Sequence, residues 1–272
     1  MKLKATIPSL ITLASLLVAC DNVSEDERLI YIEPTPVNTT VLVEEFSGQM
    51  CVNCPTGAAE LEKMEEQYGD ALAIITYHGG TYAINPGEVE GVLGLGTEYG
   101  ALKEKEYGIN AKPCIVINAR GSNNTVLTWA TDIDVASKII SDVSLTGEAV
   151  YDAASSSIQI LIKGTCNSVF NGTLQAVLTE SGIVAPQMLP DNSADENYVH
   201  NNLFRANVNG TAGEPFSVSG ADIDGVSKSY TVPVQADWKP INMRLVAYVY
   251  NENGVKQALT LPVKELINEN NN

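Results

Sequence analysis

The chain has 272 residues, enough for two ordinary domains or one large one, with 44% hydrophobic and 6% aromatic residues. Its formal net charge of −17 makes a surface that repels nucleic acid and anionic headgroups, so a nucleic-acid partner is excluded.

The first nineteen residues read as a signal peptide. Lys2 and Lys4 form a positive end, residues 7–18 are apolar, and Leu17-Val18-Ala19-Cys20 follows. That tetrapeptide resembles a bacterial lipobox, with Cys20 as the lipidated first residue of the mature chain; an ordinary cleaved secretory signal with an incidental cysteine is the other reading. Losing Lys2 and Lys4 and no acids takes the charge from −17 to −19. The apolar run is too short for a committed transmembrane helix. The expectation is an exported protein held by acyl chains on Cys20, in a compartment that permits oxidised cysteines. Residues 20–38 read as an acidic, Pro-containing tether. Its acidic run resembles the signal that sends Bacteroidetes lipoproteins to the cell surface. A plain solvated linker explains it nearly as well, and a periplasm-facing protein stays open.

Residues 39–145 form the first expected domain. Residues 41–46 are apolar and β-branched, a strand, and Ser47-Gly48 ends it. Cys51-Val52-Asn53-Cys54-Pro55 opens a helix, since proline is tolerated where the first-turn N–H groups lack partners. Ala58, Leu61, Met64 and Tyr68 make its apolar stripe and Gly69 its stop. Cys51 then lies at the positive end of the helix dipole, which favours a thiolate that attacks disulfides, with Cys54 near enough to resolve the product. A second buried strand covers 71–78, ending at His78. A long loop follows over 79–97, then a helix over 97–107, with Gly108 as its stop. Pro113 and Cys114 lead into another strand. A strand over 125–129 and a helix over 132–143, with Asp132 at its N-cap, complete the domain.

From 147 to 265 the texture becomes alternating, with about seven short strands: 148–153, 157–163, 173–179, 203–208, 228–234, 243–250 and 257–263. Turn pairs such as Asn171-Gly172 and Asn253-Gly254 separate them. This pattern predicts an all-β, Ig-like sandwich. Residues 182–201 read as a long loop and 266–272 as a frayed tail.

The strand–CxxC–helix unit resembles the redox centre of thioredoxins. The resemblance implies an α/β thioredoxin-like domain ahead of the sandwich, a buried acidic role for Glu45, and a cis-proline at Pro113 facing the CxxC. Met50 and Val52-Asn53 depart from the thioredoxin residues at those positions, and Cys114 departs from the residue usual after the cis-proline. The lipobox, the CxxC-Pro centre, Tyr107-Gly108, Pro113, Asn118-Ala119-Arg120 and the run Tyr198-Val199-His200-Asn201-Asn202-Leu203-Phe204-Arg205 together resemble the Omp28-related outer-membrane lipoproteins of Bacteroidetes. That family implies an outer-membrane location but no established reaction.

Several readings therefore stand side by side. Cys51–Cys54 is a catalytic dithiol acting on exported protein thiols, with Pro113 shaping the groove and Glu45 taking the proton of Cys54. Alternatively it is a structural staple in a surface binding module that contacts other surface proteins, or half of a zinc site. The last lacks a second CxxC, so no metal and no cofactor is expected. Glu44 competes with Glu45 for the inward position. Cys114 and His78 are accessory candidates, each with a bland alternative: a small buried hydrophobe and a ligand of loop carbonyls. His200 and Arg205 are expected to be structural. Four non-lipidated cysteines allow three complete pairings, and Cys51–Cys54 with two free thiols is the preferred state.

Overall fold

A computed structural model describes residues 37–266 apart from 223. The signal peptide, Cys20, nearly all of the tether and nearly all of the tail lie outside the described residues.

Short β1 (Val37–Asn38) leads into β2 (Val41–Ser47), α1 (Cys54–Tyr68) and β3 (Leu72–His78). α1 starts with Pro55 in its first turn and ends at Gly69. α2 (Glu98–Tyr107) has Thr97 as N-cap, whose hydroxyl accepts from the Gly100 N–H at 3.0 Å. Gly108 closes it in the left-handed region at φ 63°, which glycine adopts without steric cost. β4 (Cys114–Ile117) and β5 (Arg120–Asn123) form a hairpin. The expected strand at 125–129 is instead a short 3-10 turn, and α3 runs Trp129–Ser137. Asp132 sits inside its first turn rather than at its cap, because Trp129 and Ile133 are the buried positions that fix the helix. Of the residues expected as helix, 140, 141 and 143 belong to strands β6 (Ile140–Ser141) and β7 (Val143–Asp152).

The remaining strands follow the alternating pattern closely: β8 (Ser157–Cys166) and β9 (Val169–Glu180) come first. The loop expected over 182–201 carries four two-residue strands, β10 (Ile183–Val184), β11 (Gln187–Met188), β12 (Ala194–Asp195) and β13 (Val199–His200). Then come β14 (Leu203–Asn207), β15 (Glu214–Ser219), β16 (Val226–Pro233), β17 (Met243–Asn251), β18 (Gly254–Pro262) and β19 (Lys264–Glu265). β15 was not expected: Pro215 argues against a strand, but at the end of a sheet branch a missing N–H is tolerated.

Nine strands make one sheet in the order β18-β17-β9-β14-β3-β2-β4-β5, with β15 added to β9. The sequence places a boundary near residue 146, yet strands from both sides of it share this sheet. The join is a parallel bridge between Leu203 and Thr76 and a hydrogen bond from the Thr76 N–H to the Asn202 carbonyl at 2.8 Å. A second sheet, β16-β8-β7-β19, covers the C-terminal part of the large one. Between the two lies a core of Ile158, Ile162, Phe170, Leu174, Phe216 and Leu245.

The large sheet also curls. Val246, Tyr248 and Ala258 of β17 and β18 pack in one cluster with Leu42, Phe46, Ile75 and Tyr77 of β2 and β3. Gln257 fastens the curl, accepting from the Thr40 N–H at 2.8 Å and donating to the Asn38 carbonyl at 3.3 Å. A third cluster fills the opposite face of β2 and β3: Val41, Val43, Leu72 and Ile74 meet Leu61, Met64, Trp129 and Ile133 from α1 and α3.

Candidate functional site

β2 and β3 are buried on both faces, so every residue of both strands is inside. Side chains alternate across a strand. Val41, Val43, Glu45 and Ser47 therefore point towards α1, while Leu42, Glu44 and Phe46 point into the curl. Register pairs Glu45 with Thr76 and Ser47 with His78, putting all four on the α1 face. Glu44 and Glu45 are both inward, on opposite sides.

On the α1 side, Glu45, Thr76 and His78 line a cavity of about 110 Å³ with Cys54, Gln187 and His200. Its floor is sheet, one wall is α1 between Cys54 and Glu65, and the other wall is the stretch 198–202. Asn202 ties the walls together, its amide donating to Glu65 Oε2 at 3.1 Å. Glu45 accepts the Thr76 hydroxyl on Oε2 at 2.8 Å, and its Oε1 has no partner. Burial raises the Glu45 carboxyl from 4.5 to about 7, against the smaller opposing effect of the Thr76 hydrogen bond. His78 is buried with Nδ1 unpartnered, and desolvation, then His200 and Lys112, holds its pKa well below the usual value. Its ring meets His200 edge-on, with centroids 5.3 Å apart. Burial lowers His200 to about 4, outweighing its contacts with the Ala185 and Pro186 carbonyls. Two neutral imidazoles and a carboxyl poised near neutrality thus surround one side of Cys54.

Cys51 and Cys54 are joined in a disulfide with Cα atoms 5.4 Å apart. Cys51 is 4% exposed and Cys54 1%. The turn before them is held from two directions. Gln49, itself 1% exposed, donates to the carbonyls of Leu93 at 3.0 Å and Pro186 at 3.1 Å, and accepts from the Leu95 N–H at 2.9 Å. Gln187 donates to the Cys51 carbonyl at 3.0 Å and to that of Gly48 at 3.3 Å. Backbone bonds add to this: the Met50 N–H reaches the Tyr82 carbonyl at 2.9 Å, and the Met188 N–H reaches the Gln49 carbonyl at 2.8 Å. The 79–97 loop and the 182–201 segment together cover the disulfide.

The Lys112–Pro113 bond is cis. The ring packs on the first turn of α1: a Cβ added at Gly57 would lie 2.9 Å from Pro113 Cβ and from the edge of Trp129, so only glycine lets these elements approach. Cys114 and Cys166 are free and buried. Cys114 pairs with Phe46 across the ladder and sits in the aromatic cluster of the curl, on the opposite face of β2 from Glu45, where burial pushes its thiol pKa up. Cys166 is in the core between the sheets. Arg205 forms an ion pair with buried Glu180 at 3.0 Å and bonds Asp237 at 2.6 Å, away from the cavity. Glu44 lies 3.6 Å from Lys103 Nζ and accepts the Tyr107 hydroxyl at 2.7 Å, a buried network on the other face. Among the described residues no three His, Cys, Asp or Glu side chains converge to hold a metal ion.

Sequence reasoning named Glu45, His78 and Cys54, which line the cavity, and Pro113, which is cis but lies outside it, and assigned His200 to loop support. The structure brings His200 into the same cavity. It missed Gln49, Gln187 and Thr76. Nothing local marks a lone glutamine as a clamp, because its partners lie 44 to 139 residues away.

The family described as outer membrane protein Omp28 matches residues 101–270. The chain belongs to the Omp28 family. The match begins inside α2, so it includes the cis-proline, the Gln187 clamp and the 198–205 run, and leaves the CxxC outside. No curated protein matches the sequence. HBP35 of Porphyromonas gingivalis is similar in structure, with a TM-score of 0.63 at 12% identity over 85% of this chain and 78% of that one. That likeness is one of fold. Protein AGR_C_4864 of Agrobacterium tumefaciens matches at a TM-score of 0.49 and 15% identity, over 86% of this chain and 98% of that one. No helix among the described residues is long and apolar enough to cross a membrane.

Proposed function

We propose that this Omp28 protein is a lipoprotein, anchored through Cys20 and displayed at the cell surface. Its thioredoxin-like half keeps Cys51–Cys54 as a covered, structural disulfide, and the molecule acts as a binding module rather than an exchange enzyme. The observation that carries this reading is the cover over the disulfide. Cys51 is 4% exposed, and Gln49 bolts its turn to the 79–97 loop and, together with Gln187, to the 182–201 segment. Exchange requires a protein thiolate to approach a sulfur in line, so a roof over both sulfurs opposes it.

A second reading is favoured by one feature. The buried Glu45 carboxyl, its pKa raised to about 7, lies in the same cavity as Cys54, where exchange needs a group that takes up or gives back a proton. In that reading an incoming thiolate attacks Cys51, which releases Cys54 as the leaving thiolate, and Glu45 supplies the proton.

Equilibration with redox buffers separates the two. A structural disulfide is expected below about −300 mV, whereas exchange enzymes lie between about −270 and −120 mV. A potential in the enzyme range, with turnover of a scrambled disulfide protein that is lost in Cys51→Ser, would overturn the module reading.

A further inference from the structure

A second concavity lies away from the disulfide, between the β4–β5 hairpin, α3 and β6, with a volume of about 480 Å³. Volumes of roughly 300–1,000 Å³ are those of ligand sites. Its inner surface is mixed, with Ile115 fully buried and Ala136 and Val255 nearly so beside the buried polar Thr39, Asn118 and Ser141. Its lip is apolar. Val135 is 61% exposed, Ile139 48% and Ile140 62%, so three large aliphatic side chains face water around one opening.

Charges of both signs lie at this rim. Asp132 accepts the Asn123 amide at 2.6 Å and Asp142 accepts the Ser168 hydroxyl. Arg120 donates to the Asn253 carbonyl, through Nε at 3.0 Å. Lys256 makes no ion pair among the described residues. The rim therefore carries two carboxylates and two cations that are not paired with one another.

The position of the opening adds the third observation. β1 pairs with β6, Val37 opposite Ser141 and Asn38 opposite Ile140. Thr39, Ile140 and Ser141 are themselves part of the lining. The chain coming from Cys20 thus joins the fold at the lip of the pocket. The 17 steps from Cys20 to Val37 span at most about 60 Å when extended.

We propose that this pocket takes one acyl chain of a zwitterionic glycerophospholipid from the membrane to which the protein is tethered. The phosphate lies towards Lys256 and Arg120, and the ammonium towards Asp132 and Asp142. The assignment to a bilayer lipid rests on the reading of Cys20 as the acylated anchor; the pocket and its mixed-charge rim do not. A zwitterionic head also suits a chain of net charge −17, which disfavours anionic lipids.

The test is photo-crosslinking of the protein purified from membranes, reconstituted in vesicles of phosphatidylethanolamine and phosphatidylcholine carrying a diazirine on one acyl chain. Adducts are expected on peptides spanning 115–123 and 132–142. They should fall at least tenfold in Ala136→Trp, which fills the pocket. Ile140→Glu, at a lip position that is 62% exposed, should lower them several-fold, as should Lys256→Glu. Adducts spread equally over exposed Leu127, Val169 and Ile241, or unchanged by Ile140→Glu, would overturn the proposal. So would labelling by a diazirine fatty acid in solution but not by the vesicle lipid, which would make the ligand a free carboxylate. The mass of the N-terminal peptide reads the anchor separately. An acylated chain without pocket adducts sinks the pocket alone, and pocket adducts on an unacylated chain sink the anchor alone.

Discussion

At Glu45 the environment sets the chemistry. Its folded pKa of about 7 lies above the ordinary 4.5, so the folded protein holds the proton more tightly than the unfolded chain between those values. Stability contributed by the protonated form is present below 4.5 and is lost as pH rises to about 7. The shift is worth roughly 3 kcal/mol. Glu45→Gln removes this dependence. The stability of the variant relative to the wild type should therefore climb by roughly 3 kcal/mol between pH 4.5 and 7 and then level off, in urea titrations across that range. A difference that stays flat with pH would show that the carboxyl is solvated. His200 acts in the opposite direction: its pKa is lowered from 6.5 to about 4, so its contribution is intact above 6.5 and disappears as pH falls through 4. Which acid faced inward was not legible from the sequence, because Glu44 and Glu45 are adjacent and a strand covered on both faces buries both. Each needs its own partner, Thr76 for one and Lys103 with Tyr107 for the other.

Among the elements, the segment 182–201 departs most from its sequence reading. Its polarity and two prolines suggest an ordinary surface loop. Instead β11 and β13 deliver Gln187 and His200 to the disulfide end of α1. A loop earns no periodic signal from side chains that bond across 136 to 139 residues, which is why local pattern could not reveal it. If Gln187 is the fastening, Gln187→Ala should leave the global unfolding free energy within about 1–2 kcal/mol of wild type, the scale of one or two buried hydrogen bonds. The rate at which a phosphine reduces Cys51–Cys54 in the folded protein should rise about tenfold. An unchanged rate would mean that the 79–97 loop alone excludes the reductant. The helices and long strands were legible because they carry a strong stripe or alternation. β15 and the true start of α3 were not: β15 carries Pro215, and Asp132 offered an N-cap three residues after the buried Trp129 where the helix begins.

For the whole molecule, the expectation of two domains in series meets a continuous sheet. Ala73, Ile75 and Tyr77 of β3 share a cluster with Val177, Val246, Tyr248 and Ala258. Composition changes near residue 146, and that change is real, but composition does not show which strands become neighbours. A fragment of residues 39–145 would lose β14 from the edge of β3 and uncover the curl face of the sheet. An exposed strand edge beside an apolar face favours association. This fragment is expected to aggregate or to lack dispersed amide signals in an NMR spectrum, whereas residues 37–266 should give a single cooperative transition. A soluble, well-dispersed fragment would show that the first part folds on its own.

The reach of Gln187 back to the turn at 48–51 has a consequence in time. If the chain is exported from its N-terminus, as proposed above, it presents residues 51 and 54 long before residue 187. During that interval the turn lacks one of its two fastenings and β3 lacks its outer neighbour, so the two thiols stand open to whatever oxidant the compartment holds. Once residue 187 arrives and the segment closes, the bond is sealed under it. The order of arrival along the polypeptide, rather than any gate in the finished protein, defines the window in which this disulfide is made.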